Sequence, residues 1–184
     1  TNVIAEGEVL QLMNMHDASL SEAAYLKVIR SKTAKLFEAS TRLSAVISGQ
    51  SAETEQVCAD YGQALGTAFQ VIDDALDYDG SAEEMGKNLG DDLREGKATL
   101  PLIIAMQRAT ASDAAAIRSA IENGDTEHLQ AIIAIVKSTG ALDATRDAAA
   151  SEARRAIAAM THLPDSVYKT ALVQLASSLL ERRS

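Results

Sequence analysis

Apolar residues return every three or four positions along almost the whole of this chain, and only two prolines, Pro101 and Pro164, interrupt it. That spacing lines up apolar side chains on one face of an α-helix, whereas a half-buried strand needs strict alternation. Helices are expected at Asn2–Met13, Ser21–Ser48, Ala52–Tyr78, Lys97–Ala109, Ala111–Asn123, Thr126–Ser138, Gly140–Met160 and Asp165–Arg182. Their ends carry local signals. Ser19 or Ser21 caps the second helix, with Glu22 in its first turn. Asp125 precedes the helix of Leu129, Ile132, Ile133 and Val136, Gly124 and Gly140 read as stops, and Pro164-Asp165 starts the last helix. The chain is rich in Ala, lacks Trp and is only 3% aromatic, which favours helix over sheet. No repeat, low-complexity tract or linker divides it. The expectation is one all-α domain over residues 1–184, with two long helices near its centre and enough chain for a sizeable core.

The formal net charge of −9 argues against nucleic acid or an anionic membrane as a partner. A protein of this charge needs a local device, metal ions or a few placed cations, to handle anionic substrates. The single cysteine, Cys58, cannot form an internal disulfide and reads as a small apolar filler. This fits a reducing compartment, and a cytoplasmic location is expected. No run of about twenty apolar residues is present, so no transmembrane segment is expected, and no signal peptide is visible. His16, His128 and His162 have no metal-ligand spacing and read as surface or cap residues.

The helix Ala52–Tyr78 is where chemistry is concentrated. At about 100° per residue, Gly62, Gly66, Phe69, Gln70, Asp73 and Asp77 fall on one stripe, with Asp74 beside it. A core stripe does not end in aspartates, because unpaired buried carboxylates are costly. A solvent stripe does not normally carry Phe and two glycines, each costing about 1 kcal/mol inside a helix. This face is therefore expected to wall a pocket, narrow and apolar at one level and acidic at its mouth. Three carboxylates at this spacing repel one another until divalent cations arrive, and hard oxygen ligands select Mg²⁺, or Mn²⁺, over zinc. The bland alternative is a solvated acidic helix end.

Two other motifs fail. An EF-hand with Gly80 as its turn glycine would need an oxygen ligand at Ala75 and a Glu at Gly86. A nucleotide phosphate loop over Gly90 to Thr99 is one residue too long, and Ala98 stands where a metal-binding hydroxyl belongs. The irregular segment Asp79 to Gly96 is acidic and glycine-bearing, and a connection of that length in a compact helical protein is usually functional or disordered. Cations are few and placed: Lys32 beside Thr33 within an apolar helix, Lys87 after Gly86, and Lys97 after Gly96. A Lys-Thr pair at such a place reaches a phosphate or its metal shell; taken alone, Lys32 reads equally well as a Lys snorkelling from an apolar helix.

Together these elements have a familiar order. Phe69-Gln70-Val71-Ile72-Asp73-Asp74-Ala75-Leu76-Asp77, Gly86-Lys87, Gly90-Asp91-Asp92-Leu93 and Gly96-Lys97-Ala98-Thr99-Leu100-Pro101 closely resemble the second aspartate-rich region of the trans-isoprenyl (polyprenyl) diphosphate synthases. Lys32-Thr33 matches that family's Lys-Thr pair. Gly7-Glu8-Val9-Leu10-Gln11-Leu12, the run Lys32 to Ala39 and Leu163-Pro164-Asp165 are similar to its long-chain bacterial members, whose products become quinone side chains. The resemblance implies an isoprenoid-synthase-type helical bundle around a central cavity, usually a homodimer, with two aspartate-rich motifs facing each other across the mouth. It implies that Asp73, Asp74 and Asp77 bind metal, with Asp73 the direct ligand. It implies that Lys32, Lys87 and Lys97 contact an allylic prenyl diphosphate, that Thr33 and Gln70 line the place where positive charge develops, and that Phe69 packs beside them. The implied reaction breaks the allylic carbon–oxygen bond, adds isopentenyl diphosphate to the resulting cation and releases a proton, with Lys32, Thr33, Gln70, Asp73 and Lys87 as the catalytic set.

The family's first aspartate-rich motif, the arginine pair after it and most of the isopentenyl diphosphate site are not among these residues. The chain also starts without Met, inside what reads as a helix. It is therefore expected to be the C-terminal portion of a longer synthase domain, inactive by itself. Two other readings remain at this level. A class I terpene cyclase would ionise the same kind of substrate but incorporate no isopentenyl diphosphate. A non-catalytic subunit of a heteromeric synthase would have no need of Asp73, Asp74, Asp77 and Lys32.

Overall fold

The Ser51 hydroxyl accepts the Thr54 N–H at 3.2 Å and so opens the longest helix, α4 (Ala52–Leu76). The same device starts α2 (Glu22–Ile29), where Ser21 accepts from Ala24, and α7 (Ala111–Asn123), where Thr110 accepts from Asp113. Around them run α1 (Asn2–Met13), α3 (Lys35–Ile47), the one-turn α5 (Asp91–Arg94), α6 (Leu100–Arg108), α8 (Leu129–Ser138), α9 (Ala141–Met160) and α10 (Val167–Glu181). The structure, a computed structural model, describes residues 2–79 and 89–181. Among the described residues there is no strand, as the apolar spacing requires.

Three expected boundaries move, each for a local reason. The helix expected from Lys97 begins at Leu100, with Pro101 in its first turn. An earlier start would have put Pro101 where its missing N–H breaks an i→i−4 bond. The helix expected from Thr126 begins at Leu129, because the Asp125 carboxylate accepts the Glu127 N–H at 2.7 Å and holds a turn there. The irregular segment Asp79 to Gly96 contains α5, entered through Gly90 at φ 74°. A fourth difference bears on the site. The expected helix Ser21–Ser48 is continuous, but Arg30–Ala34 forms a π-helical turn between α2 and α3.

α4 lies at the centre, packed by α3 on one side and α9 on the other. The larger core joins Tyr25, Val71, Ile72 and Tyr78 to the Leu and Ile side chains of α6, α7 and α8. A smaller core joins Tyr61, Leu65, Met160 and Leu179 where α4, α9 and α10 meet, and the Tyr61 hydroxyl donates to the Leu172 carbonyl at 2.9 Å. Burying each large apolar side chain contributes about 1.5–3 kcal/mol.

Gly62 and Gly66 do mark a close approach, but by another helix of this chain. A Cβ on Gly62 would lie 2.5 Å from the Phe37 carbonyl oxygen, and one on Gly66 would lie 2.7 Å from the Ala34 Cα. The glycine end of the stripe is therefore the seat of α3 and not the wall of a pocket. Gly7 does the same for α1, whose backbone lies against Ser31 and Lys32. Glycines thus pin the π turn from two sides. Ion pairs join other elements: Glu152 of α9 accepts from Arg30 at 2.9 Å, and Arg146 of α9 pairs with Asp79 beyond the end of α4.

Candidate functional site: a carboxylate and lysine cavity

At the end of α4 farthest from Ser51, a cavity of about 230 Å³ opens between α1, α2, the π turn, α4 and the α5–α6 connection. Its polar lining includes Lys32, Thr33, Gln70, Asp73, Asp92 and Lys97. Met15, Leu20, Val28 and Ile29 supply its apolar side. The π turn is what brings Lys32 and Thr33 here, because it shifts the helical register just where α2 passes into α3.

The carboxylates divide into two kinds. Asp73 and Asp92 line the cavity. Asp92 is also held by Lys97, whose Nζ donates to Oδ1 at 3.0 Å while pairing with Glu95 at 2.6 Å. Asp74 lines the cavity but is only 2% exposed, and both of its oxygens are engaged. The Tyr25 hydroxyl donates to Oδ2 at 2.5 Å and the Gln70 amide to Oδ1 at 2.8 Å. The Gln70 oxygen in turn accepts from the Thr33 hydroxyl at 3.0 Å. Asp77 points elsewhere: its two oxygens accept the backbone N–H groups of Asp91 and Asp92, each at 3.1 Å, at the start of α5.

Electrostatics follows this geometry. Burial pushes the Asp74 carboxyl up to about 8, and Asp92 nearby adds to this, while the bonds from Tyr25 and Gln70 oppose it. Burial and the Asp92 charge lift Asp77 to about 6, against the pull of its two backbone donors. Asp92 is raised by burial, an effect that Lys97 partly offsets. Burial alone would lower Lys97, but Glu95 and Asp92 outweigh it and hold the ammonium above its ordinary range. Tyr25 is raised well above the usual phenol value by burial and by Asp74.

Of the residues singled out in the sequence, Lys32, Thr33, Gln70, Asp73, Asp74 and Lys97 meet around this cavity. Phe69 does not line it; the ring is 40% exposed and lies against Phe37, with centroids 5.7 Å apart. Lys87, with Gly86, lies outside the described residues. Lys32 is held by α1, through Glu8 at 2.7 Å and a short bond to Gln11. Sequence reasoning missed Tyr25, Asp92 and Gln11 as site residues. The run Gly90-Asp91-Asp92 was visible as a motif, but nothing in a tyrosine amid an apolar helix announces a partner 49 positions away. The histidines take surface and cap positions as expected, with His128 the N-cap of α8 and His16 and His162 exposed. His16 sits at φ 63°, donates its backbone N–H to the Gly96 carbonyl at 2.7 Å, and bonds the Ile121 carbonyl through Nδ1 at 3.1 Å.

Among the described residues, no three His, Cys, Asp or Glu side chains converge as a closed metal cage. The donor set nevertheless fits a hard divalent cation. Mg²⁺ takes one or two carboxylates and completes its shell with waters and substrate phosphates. Asp73 and Asp92 are the two carboxylates at the open face.

The fold and the cavity define an all-α helical bundle with oxygen ligands and amines converging on one polar pocket. The sequence profile of the polyprenyl synthetase family matches residues 1–138, and the chain belongs to that family. It is 50% identical over 182 residues to the octaprenyl diphosphate synthase of Escherichia coli (strain K12), covering 98% of this chain and 56% of that protein. It is 46% identical over 179 residues to the all-trans-nonaprenyl-diphosphate synthase (geranyl-diphosphate specific) of Rhodobacter capsulatus, covering 97% and 55%. The fold matches a crystal structure of polyprenyl synthase from Caulobacter crescentus CB15 complexed with calcium and isoprenyl diphosphate. The TM-score is 0.92 at 46% identity, over 100% of this chain and 56% of that one. The chain thus spans about half the length of the curated relatives it matches. Among the described residues, no helix is long and apolar enough to cross a membrane.

Proposed function

We propose that this chain is part of a trans-polyprenyl diphosphate synthase, of the octaprenyl type, that condenses isopentenyl diphosphate with an allylic prenyl diphosphate. The product is read as the side-chain precursor of a respiratory quinone, made in the cytoplasm. The observation that carries this reading is the convergence of Asp73, Asp92, Lys32 and Lys97 with the Thr33–Gln70 pair at one cavity. Relatives named for chain elongation support it over cyclisation.

Asp73, with Asp92, is the set we assign to Mg²⁺, Mn²⁺ being the alternative. Asp74 and Asp77 support that set from behind, Asp74 through Tyr25 and Gln70 and Asp77 through the backbone of Asp91 and Asp92. The metal, when bound, supplies positive charge that stabilises the departing diphosphate. Lys32 and Lys97 present ammonium groups to the same diphosphate, already oriented before the carbon–oxygen bond lengthens. Lys87 is assigned to this group from the motif alone. Glu8 and Gln11 hold Lys32 at the rim until the diphosphate competes for it. The Thr33 and Gln70 oxygens offer dipoles to the allylic cation without being good nucleophiles. Leu20, Val28 and Ile29 keep water from that cation. The released diphosphate is assigned as the base that takes the last proton from carbon, since among the described residues no side chain of the cavity stands out for that role.

The first aspartate-rich motif and most of the isopentenyl diphosphate site are assigned to a segment outside these residues, and the assembly to a homodimer. The test is incorporation of labelled isopentenyl diphosphate by the protein that carries this chain. Asp73→Ala is expected to lower it by about 100-fold or more. A cyclic product without label would favour a terpene cyclase, and unchanged incorporation in Asp73→Ala would favour a scaffold subunit.

A further inference from the structure

The second aspartate of the Asp73-Asp74 pair is placed unlike the first. Asp74 is 2% exposed, and each oxygen already has a donor, Tyr25 on one side and Gln70 on the other. Tyr25 is itself 4% exposed and comes from α2, so the contact joins two helices. The Asp74 oxygen facing Gln70 is an acceptor, so it selects the NH₂ end of that amide, while the other oxygen faces the Tyr25 hydroxyl. The amide oxygen must then face the other way, where Thr33 donates to it. Tyr25, Asp74, Gln70 and Thr33 thus form one chain of bonds running from α2 through α4 to the π turn.

We propose that Asp74 and Tyr25 are positioning residues that lock the orientation of the Gln70 amide, and that Asp74 is not a metal ligand. Recruiting Asp74 to a cation would mean turning a carboxyl that is 2% exposed and bonded on both oxygens, and a partner lost in so buried a place is expensive. Asp73, one residue earlier, faces the same cavity and leaves Asp74 free for this task. Tyr25 fixes Asp74, Asp74 fixes the amide, and the amide oxygen stays turned to Thr33. A freely rotating amide would present its NH₂ group to the allylic cation half of the time, and that end repels positive charge. This step rests on the prenyl-transfer reading for its catalytic consequence, but the locked amide does not.

The test uses Tyr25→Phe and Asp74→Asn, with Asp73→Asn as the reference for a lost ligand. Tyr25→Phe keeps the ring and removes only the hydroxyl. Asp74→Asn leaves one acceptor oxygen and adds a donor, so it cannot accept from both neighbours. Three readouts separate the claims. Side-chain amide hydrogen exchange, followed by NMR, should be about tenfold slower at Gln70 than at exposed Gln50 in the parent protein, and the difference should vanish in both variants. Calorimetric titration with Mg²⁺ and inorganic diphosphate should stay within about threefold of the parent for Tyr25→Phe and Asp74→Asn, but weaken by about tenfold or more for Asp73→Asn. Steady-state condensation should show kcat lowered about 10- to 100-fold by either variant, with KM for both diphosphates near the parent value. The double variant should be no worse than Asp74→Asn alone, since the two act through one bond chain.

Unchanged Gln70 exchange in Tyr25→Phe would overturn the lock. Metal affinity lost equally in Asp74→Asn and Asp73→Asn would make Asp74 a ligand and overturn the other half. Should Asp74→Asn not fold, Tyr25→Phe decides by exchange and by the split between kcat and KM. No condensation activity in the whole protein that carries this chain would refute the prenyl-transfer reading, while the exchange data would still decide the lock.

Discussion

Asp74 and Asp77 show how one short acidic run is put to different uses. Both are raised by burial, Asp74 to about 8 and Asp77 to about 6, from an ordinary value of 3.8. Between those limits the folded chain keeps protons that the unfolded chain has released. Stability therefore falls as pH rises from about 4 to about 8, the opposite of a carboxylate held low by an ion pair. Thermal melts of the metal-free protein should show a falling melting temperature from about pH 5 to about pH 8. A melting temperature that rises over this interval would mean that these carboxylates are ionised at no cost to the fold. At this scale the sequence was informative wherever a side chain's chemistry was unusual for its place. A Lys-Thr pair in an apolar helix and aspartates ending an aromatic and glycine stripe both led to the cavity. Tyr25 carries no such mark, and its partner is far away in the chain. The roles of Asp73, Asp74 and Asp77 are distinguished only by where each side chain points, and a few tens of degrees around a helix end is finer than periodicity resolves.

At the scale of elements, the helices were legible because apolar spacing and caps agree, as Ser51, Ser21 and Thr110 illustrate. The π turn was not, since Arg30–Ala34 has no composition that separates it from ordinary helix. Its position becomes intelligible only from its neighbours, with Gly66 of α4 against Ala34 and Gly7 of α1 against Ser31 and Lys32. Gly62 and Gly66 were expected to wall a pocket, yet what approaches them is the chain's own backbone. Gly66→Ala should accordingly destabilise the protein by about 1–3 kcal/mol through overpacking. It should also disturb Lys32 and Thr33 without touching the cavity. Chemical denaturation measures the first effect, and Mg²⁺ with inorganic diphosphate titrated into the folded variant measures the second. A variant as stable as the parent would show that α3 has room to move away from α4.

The whole molecule is a bundle built around α4, with the larger core at the cavity end and the smaller one where α10 closes over α9. Large apolar side chains remain on the outside of α1 and α3, among them Leu12 at 58%, Met13 at 74% and Ile47 at 84% exposed. The proposed function assigns the complementary acidic motif to a segment outside these residues. The 184 residues purified alone should then incorporate no labelled isopentenyl diphosphate, and co-expression with that segment should restore incorporation. Robust turnover by these residues alone would sink the assignment. Fold class was legible from the first, since no alternation competes with the helical spacing. The order of packing was not, because every helix of such a chain offers an apolar face and periodicity does not say which faces meet.

The π turn also limits transplantation of this site. It advances the phase of the helix by about one residue, roughly 100°. Lys32 and Thr33 are thereby aimed into the cavity while Phe37 and Thr41, farther along, still come round to meet α4. An engineer who copies the Lys-Thr pair onto a regular helix will find that either the pair or the packing face is correct, but not both. The portable unit is the five-residue turn together with the two glycines that cradle it.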